Sequence, residues 1–123
     1  MPPWDTALGR AVLAHLETEQ VLRMIENAKE DKTFDLNQKK LFDIFSEVKE
    51  NGFALVDQEH IKGIIAIAVP VFSSTGVIGS INMVGEPETV LVEEFSSDYA
   101  PKLKQVGELL SEALGYRKQT EKA

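Results

Sequence analysis

The sequence predicts an α+β domain in which helices pack on an antiparallel sheet, and three observations support this. Apolar residues in the first half of the chain recur at spacings of three and four. Residues 63–84 are rich in Ile and Val and are interrupted by the turn cluster Ser73–Gly76. The helical spacing returns after residue 98. Helices and strands are therefore segregated along the chain, and a short turn joins two antiparallel strands.

Two helices are predicted first, over Ala7–Leu16 and from Thr18 onward. Asp5 or Thr6 can cap the first helix, because a short side-chain oxygen accepts a hydrogen bond from an unpaired amide at a helix start. The predicted apolar stripes comprise Leu8, Ala11, Val12 and His15, then Val21, Leu22, Met24, Ile25 and Ala28. His15 is the polar exception, and the pattern favours a histidine at the rim of the core over a ligand-binding residue.

The third predicted helix has the clearest start and end signals. Asp35 and Gln38 have the spacing of a capping box, in which two side chains satisfy amides at the helix start. Asn51–Gly52 predicts the end, because glycine readily adopts the left-handed conformation that follows a last helical residue. The predicted buried stripe is Leu41, Phe42, Ile44, Phe45 and Val48.

After the third helix the pattern becomes that of strands. Phe53–Val56 predicts a short strand, Asp57–Lys62 a loop, and Gly63–Phe72 with Val77–Val84 a β-hairpin. Pro70 lacks an amide hydrogen, so a sheet edge or a bulge is expected there. Three strands form a thin sheet whose edges need covering.

One long helix, Asp98–Gly115, closes the predicted domain. Pro101 is acceptable in its first turn, where a missing amide costs no hydrogen bond. The predicted buried stripe is Leu103, Val106, Leu109, Leu110, Ala113 and Leu114. The tail Lys118–Ala123 should be frayed. The 123 residues suit a single domain with its own hydrophobic core.

Composition excludes several function classes. Thirteen Lys and Arg face twenty Asp and Glu, for a net charge of -7, and no basic stripe is present. We therefore expect no direct nucleic-acid binding by this chain. The absence of cysteine removes disulfides, thiolate metal sites and cysteine nucleophiles. The longest apolar stretch, Ile64–Phe72, is too short to span a bilayer, and we expect a cytoplasmic protein without membrane partners.

Catalytic and metal chemistry have little support in the sequence. Ser73–Thr75 is typical of a turn, and nothing resembles a nucleophile elbow. Asp57, Glu59 and His60 form one polar cluster, but a metal site needs three or four converging ligands, and His15 is far away in sequence. A solvated loop, with Glu59 or Asp57 supporting a pocket mouth, is the favoured interpretation. We predict no catalytic residue, no metal and no cofactor.

The hairpin leaves two interpretations open. Because side chains alternate across a strand, Ala66 and Ala68 can share a sheet face with Ser80 and Asn82. Small side chains leave room, and an amide offers both donors and an acceptor, so this face can hold a metabolite. The small residues can equally admit a closely packed helix, which the residues alone favour.

Six segments resemble, in order and over nearly the whole chain, the effector-sensing domain of IclR-type transcriptional regulators. Asp5–Ala14 (DTALGRAVLA) is similar to the family's TALGRALLA helix, and Ile67–Phe72 (IAVPVF) to its iAaPVf strand. The other four segments are Val48–Ala54, Asp57–Gly63, Gly76–Gly85 and Leu109–Gly115. The resemblance implies a partial GAF/PAS-like domain. It covers the later two-thirds or so of the effector domain and none of the DNA-binding half.

The resemblance also implies a function. It implies a domain that senses a small-molecule effector, with its oligomeric or DNA-binding state shifted by the ligand. We also expect a homo-oligomer, because the sheet would have an unpaired edge and the third and last predicted helices carry apolar stripes. By position, the ligand-binding residues would be Ala7, Leu8, Val56, Asp57, Ala66, Asn82 and Val84. Acid-sensing members place hydroxyl, polar or thiol groups where Ala66, Asn82 and Val84 stand, so a largely apolar effector is expected here. The alternative is a stand-alone GAF-like interaction or oligomerisation module without DNA-binding activity.

Overall fold

Helices precede and follow a three-stranded sheet in the computed structural model, which describes residues 2–28, 37–59, 62–87 and 92–117. The elements are a 3₁₀ turn (Pro3–Asp5), α1 (Ala7–Leu13), α2 (Thr18–Ala28), α3 (Gln38–Asn51), β1 (Ala54–Asp57), β2 (Ile65–Ser73), β3 (Gly76–Gly85), α4 (Val92–Glu94), a π-helical turn (Phe95–Tyr99) and α5 (Ala100–Ala113). The predicted α+β class is confirmed. Within the described ranges, no helix is long and apolar enough to cross a membrane.

The sheet is antiparallel with the order β1-β2-β3. Ala54 lies opposite Ala68, which in turn lies opposite Asn82. Residues in register across neighbouring strands share a face, so the pairing assigns every strand residue to one side of the sheet.

Each face of the sheet has its own apolar core, which makes three layers. The Ala54 and Ala68 face packs against the 3₁₀ turn, α1, α2 and α3, and its buried members are Trp4, Ala7, Ala11, Leu13, Ala14, Val21, Ile25, Leu41, Phe45 and Val48. The opposite face packs against the C-terminal helical segment, through Ile65, Ile67, Val69, Phe95, Ala100 and Leu103. Both faces of β2 are therefore buried along most of its length, as its continuous apolar composition predicted.

The helix ends have specific caps. The Thr6 side chain accepts a hydrogen bond from the Gly9 amide at 2.9 Å, which confirms it as the cap of α1. Gly52 ends α3 with φ of 81°, as predicted. The predicted capping box is wrong, because Asn37 caps α3 by accepting from the Lys40 amide at 3.0 Å and Gln38 is the first helical residue. Asp35 lies outside the described residues.

The predicted buried stripe of the last helix is largely wrong. α5 buries Ala100, Leu103, Gly107 and Ser111, whereas Val106, Leu109, Leu110, Ala113 and Leu114 are exposed. A Cβ on Gly107 would lie 2.9 Å from Val69 Cγ2, so the small residues are what let α5 approach β2. The helical segment also begins earlier than predicted, at Val92 rather than near residue 98.

Pro70 lies where the prediction placed an edge or a bulge, and both are present. β1 pairs with β2 only from Ile65 to Ala68, so β2 has an open side at Pro70. A register shift follows between Val71 and Phe72. The Phe72 amide donates to Ser111 Oγ at 2.9 Å, a bond that a neighbouring strand would otherwise supply.

Candidate functional site

The start of α1 lies against the hairpin and brings six of the predicted ligand-binding residues to one side of the sheet. Ser80 Oγ donates to the Leu8 carbonyl at 2.9 Å and ties β3 to the first turn of α1. Within that turn, Ala7 is buried, whereas Leu8 is partly exposed. We call this region the α1–hairpin surface; it comprises Ala7, Leu8, Val56, Ala66, Asn82 and Val84.

Strand residues in register form the sheet side of the α1–hairpin surface. Ala66 lies opposite Val56 on β1 and opposite Val84 on β3, so the three form one row across the sheet. Asn82 lies in the adjacent row, opposite Ala68. Apolar side chains therefore form a row beside a single primary amide, a combination that suits a mostly apolar small ligand.

Asp57 is not brought to this surface. It pairs with Ile65, which places it in a row on the opposite face of the sheet. Its carboxylate accepts a hydrogen bond from the Gln58 side chain at 3.3 Å and is otherwise solvent-exposed. Asn82 is therefore the polar member of the predicted set that lies on this surface.

Burial differs between the two inner rows of the hairpin, and the buried row agrees with the interpretation of close helix packing. Ala68 is completely buried in the core that includes Ala11, so the inner row admits a closely packed helix. One row further out, Ala66 is half-buried and Val84 is 57% exposed. This face of the sheet is therefore more exposed in the Ala66 row than in the Ala68 row.

Arg10 is a residue that the sequence reasoning missed. It is 5% exposed, its Nε donates to the Trp4 carbonyl at 2.7 Å, and its two terminal nitrogens donate to the Glu59 carboxylate at 3.1 and 3.3 Å. This fork-like pair ties α1 to the loop that follows β1. Glu59, predicted to support a pocket mouth, thus contacts Arg10 of α1. In the sequence, this contact was indicated only by a charged residue, Arg10, within an otherwise apolar helix.

His15 lies half-buried at the rim of the core, in agreement with the prediction. Its ring contacts Phe72 edge-on with 5.1 Å between centroids, and burial together with Lys49 lowers its pKa. The described residues contain no group of three or more His, Asp or Glu side chains arranged to hold a metal ion. His60 lies outside the described residues.

Comparison with known proteins shows which family this sequence matches. The family described as "Bacterial transcriptional regulator IclR C-terminal" matches residues 1–112. The HTH-type transcriptional regulator KdgR of Escherichia coli is 25% identical over 118 residues, which is 94% of this chain and 45% of that regulator. The chain therefore spans less than half the length of this relative.

Solved structures share the fold. The C-terminal domain of E. coli KdgR superposes with a TM-score of 0.80 at 25% identity, covering 94% of this chain and 72% of that domain. The inducer-binding domain of the Acinetobacter transcription factor PobR, a double mutant in complex with 3-hydroxybenzoic acid, superposes with a TM-score of 0.77 at 23% identity, covering 90% and 68%.

Proposed function

This chain belongs to the family of C-terminal domains of IclR-type bacterial transcriptional regulators, and from that membership we propose that it senses a small-molecule effector. Its matched relatives are regulators, not enzymes, and we propose no catalytic role. The regulator would act in the cytoplasm, where its target DNA lies. With a net charge of -7, this chain would leave DNA contact to another part of the regulator.

We place the effector on the α1–hairpin surface. The observation that carries this proposal is the row Val56, Ala66 and Val84 beside Asn82, open next to the first turn of α1. The PobR domain, which has the same fold, was solved with a small aromatic acid. The effector proposed here is small and largely apolar, and the Asn82 amide orients it.

Binding would be transmitted through α1. Ser80 and the Arg10–Glu59 pair tie that helix to the sheet and to the following loop, so a ligand held against Leu8 would favour one position of the helix. A ligand shifts an equilibrium only by its difference in affinity for the two states. Effector binding would therefore change the oligomeric or DNA-binding state of the whole regulator.

Two substitutions test the site. A screen of small aromatic and aliphatic metabolites by thermal shift should find a compound that stabilises the native chain, because a ligand at a hundred times its Kd adds about 2.7 kcal/mol. Ala66→Phe should abolish that stabilisation, because the larger side chain would occupy the space beside Asn82 where we place the ligand. Asn82→Ala should weaken binding by about 1–3 kcal/mol, since a polar group of the ligand loses its partner.

The matched control for this test is Leu22→Ala. Leu22 is 38% exposed on α2 and belongs to neither the α1–hairpin surface nor the exposed stripe of α5, so its truncation should leave the ligand-induced shift unchanged. If Ala66→Phe and Asn82→Ala fold and respond to the effector as the parent does, the α1–hairpin surface is not the site.

A second candidate function, a stand-alone interaction module, is favoured by the apolar side chains that this chain exposes. β3 is an edge strand among the described residues, and Ile78 on it is 54% exposed. α5 carries a further exposed stripe of Val106, Leu109, Leu110 and Leu114. A natural gene that encodes a helix–turn–helix ahead of this domain would favour the regulator, and a gene without one would favour the module.

Both functions predict that the chain self-associates. Multi-angle light scattering should give a mass of at least twice the 13.6 kDa of one chain at high micromolar concentration. Leu109→Glu with Leu110→Glu should shift the species toward the monomer, because charges are costly to bury in an apolar interface. A parent chain that is monomeric at that concentration would rule out this proposal.

A further inference from the structure

A hollow lies away from the α1–hairpin surface. It is a cleft of about 1030 Å³ between the open side of β2 and α5, bounded also by the C-terminal ends of α1 and α3. None of the seven predicted ligand-binding residues lines it. Its size is that of small-molecule sites in proteins. We call it the β2–α5 cleft.

The cleft exists because β1 is short. Its pairing with β2 ends at Ala68, and the next residues, Val69 to Phe72, have no strand beside them on that side. Pro70 has no amide to leave unpaired, and Ser111 accepts the Phe72 amide. Neither residue therefore leaves an unpaired amide, and the space beside β2 stays open.

Cationic side chains line the β2–α5 cleft in a chain that is otherwise acidic. Lys49, Lys104 and Arg117 all line it, and in the described part of the chain none of the three forms an ion pair with a carboxylate. Glu108 and Glu112 on α5 also line it, so positive charges exceed negative ones by three to two. This local excess favours an anion, in contrast to the net charge of -7.

One wall of the cleft is aromatic. Tyr116 stacks on Phe72 with 4.9 Å between ring centroids and 25° between planes, and His15 meets the Phe72 ring edge-on. The Nε2 atom of His15 is buried and has no hydrogen-bond partner.

We propose that the β2–α5 cleft binds a small aromatic carboxylate, with its ring against the Phe72 and Tyr116 wall and its carboxylate toward the lysines. His15, which also lines the cleft, would lie close to that anion. Lys104 Nζ lies 5.7 Å from the centroid of the Phe53 ring and close to Gly52, so it faces the same end of α3 as Lys49. This site is separate from the proposed effector site and does not depend on it.

NMR titration of the full chain with sodium benzoate tests the proposal. The ring signals of His15 and Tyr116 should shift saturably. The pKa of His15, which burial and Lys49 hold below its usual value, should rise when the carboxylate is bound. Protonated His15 attracts the anion more strongly, so benzoate affinity should increase as the pH falls through that pKa. Lys49→Gln with Lys104→Gln should weaken binding by about tenfold or more.

The matched control is Lys39→Gln, which removes an exposed lysine on α3 outside the cleft and should leave the affinity unchanged. Sodium sulfate should produce much smaller shifts at Tyr116 than benzoate. Three results would each overturn the proposal: equal shifts with sulfate, equal losses in Lys39→Gln and in the double variant, or benzoate signals confined to the α1–hairpin surface with the His15 pKa unchanged.

Discussion

Gly9→Ala is expected to destabilise the domain by about 2–3 kcal/mol, near the upper end for an added methyl group in a packed interior. Gly9 lies in the first turn of α1, directly over the preceding 3₁₀ turn. A Cβ there would lie 2.8 Å from Pro3 Cα and would collide with the Pro3 carbonyl. Because those atoms are backbone, the whole turn must move, and it carries the buried side chain of Trp4.

The matched control for Gly9→Ala is Gly79→Ala. Gly79 has an ordinary negative or extended φ, and a Cβ there would meet no atom within 4 Å, so the same methyl group should change stability by less than about 0.5 kcal/mol. Urea unfolding can be followed by the fluorescence of Trp4, the one tryptophan in the chain. Equal midpoints for the two variants would show that the turn and α1 are not in close contact.

Glu59→Gln is expected to cost about 2 kcal/mol of unfolding free energy, because it leaves the buried Arg10 guanidinium without its charge partner. A fully buried pair would lose about 3–5 kcal/mol. The Glu59 side chain is 43% exposed, and water can replace part of what is lost. Urea unfolding of purified variants gives the free energy directly.

A double-mutant cycle separates this pair from general effects of the substitution. In an Arg10→Met background, Glu59→Gln should cost less than about 0.5 kcal/mol, since no buried charge remains to be stranded. Asp43→Asn provides a second control, because the Lys39–Asp43 pair is exposed at both ends and such pairs contribute about 0–1 kcal/mol. A cost for Glu59→Gln no larger than that for Asp43→Asn would contradict the buried-pair account.

The candidate site was only partly predictable. Period-two alternation allowed Ala66 and Asn82 to share a face, and the strand register shows that they do. Alternation also puts Asp57 on the opposite face from Val56, but the resemblance transferred both residues by position. The β2–α5 cleft had no local signal. The cleft forms because β1 has four residues and ends before the nine-residue β2 does. The length of a strand is difficult to predict from its sequence.

By itself, the sequence determined the α+β class, the order of the main elements, a cap at Asp5 or Thr6 and the left-handed glycine at Gly52. These depend on neighbouring residues, through side-chain period and the conformational preferences of short polar residues and glycine. Only the tertiary structure decided which side of α5 is buried. Close approach to β2 requires small residues, so Gly107 and Ser111 face inward and Leu109 faces out. Which side of α5 is buried depends on the distance between this helix and the sheet. The residue pattern of a single helix does not specify that distance.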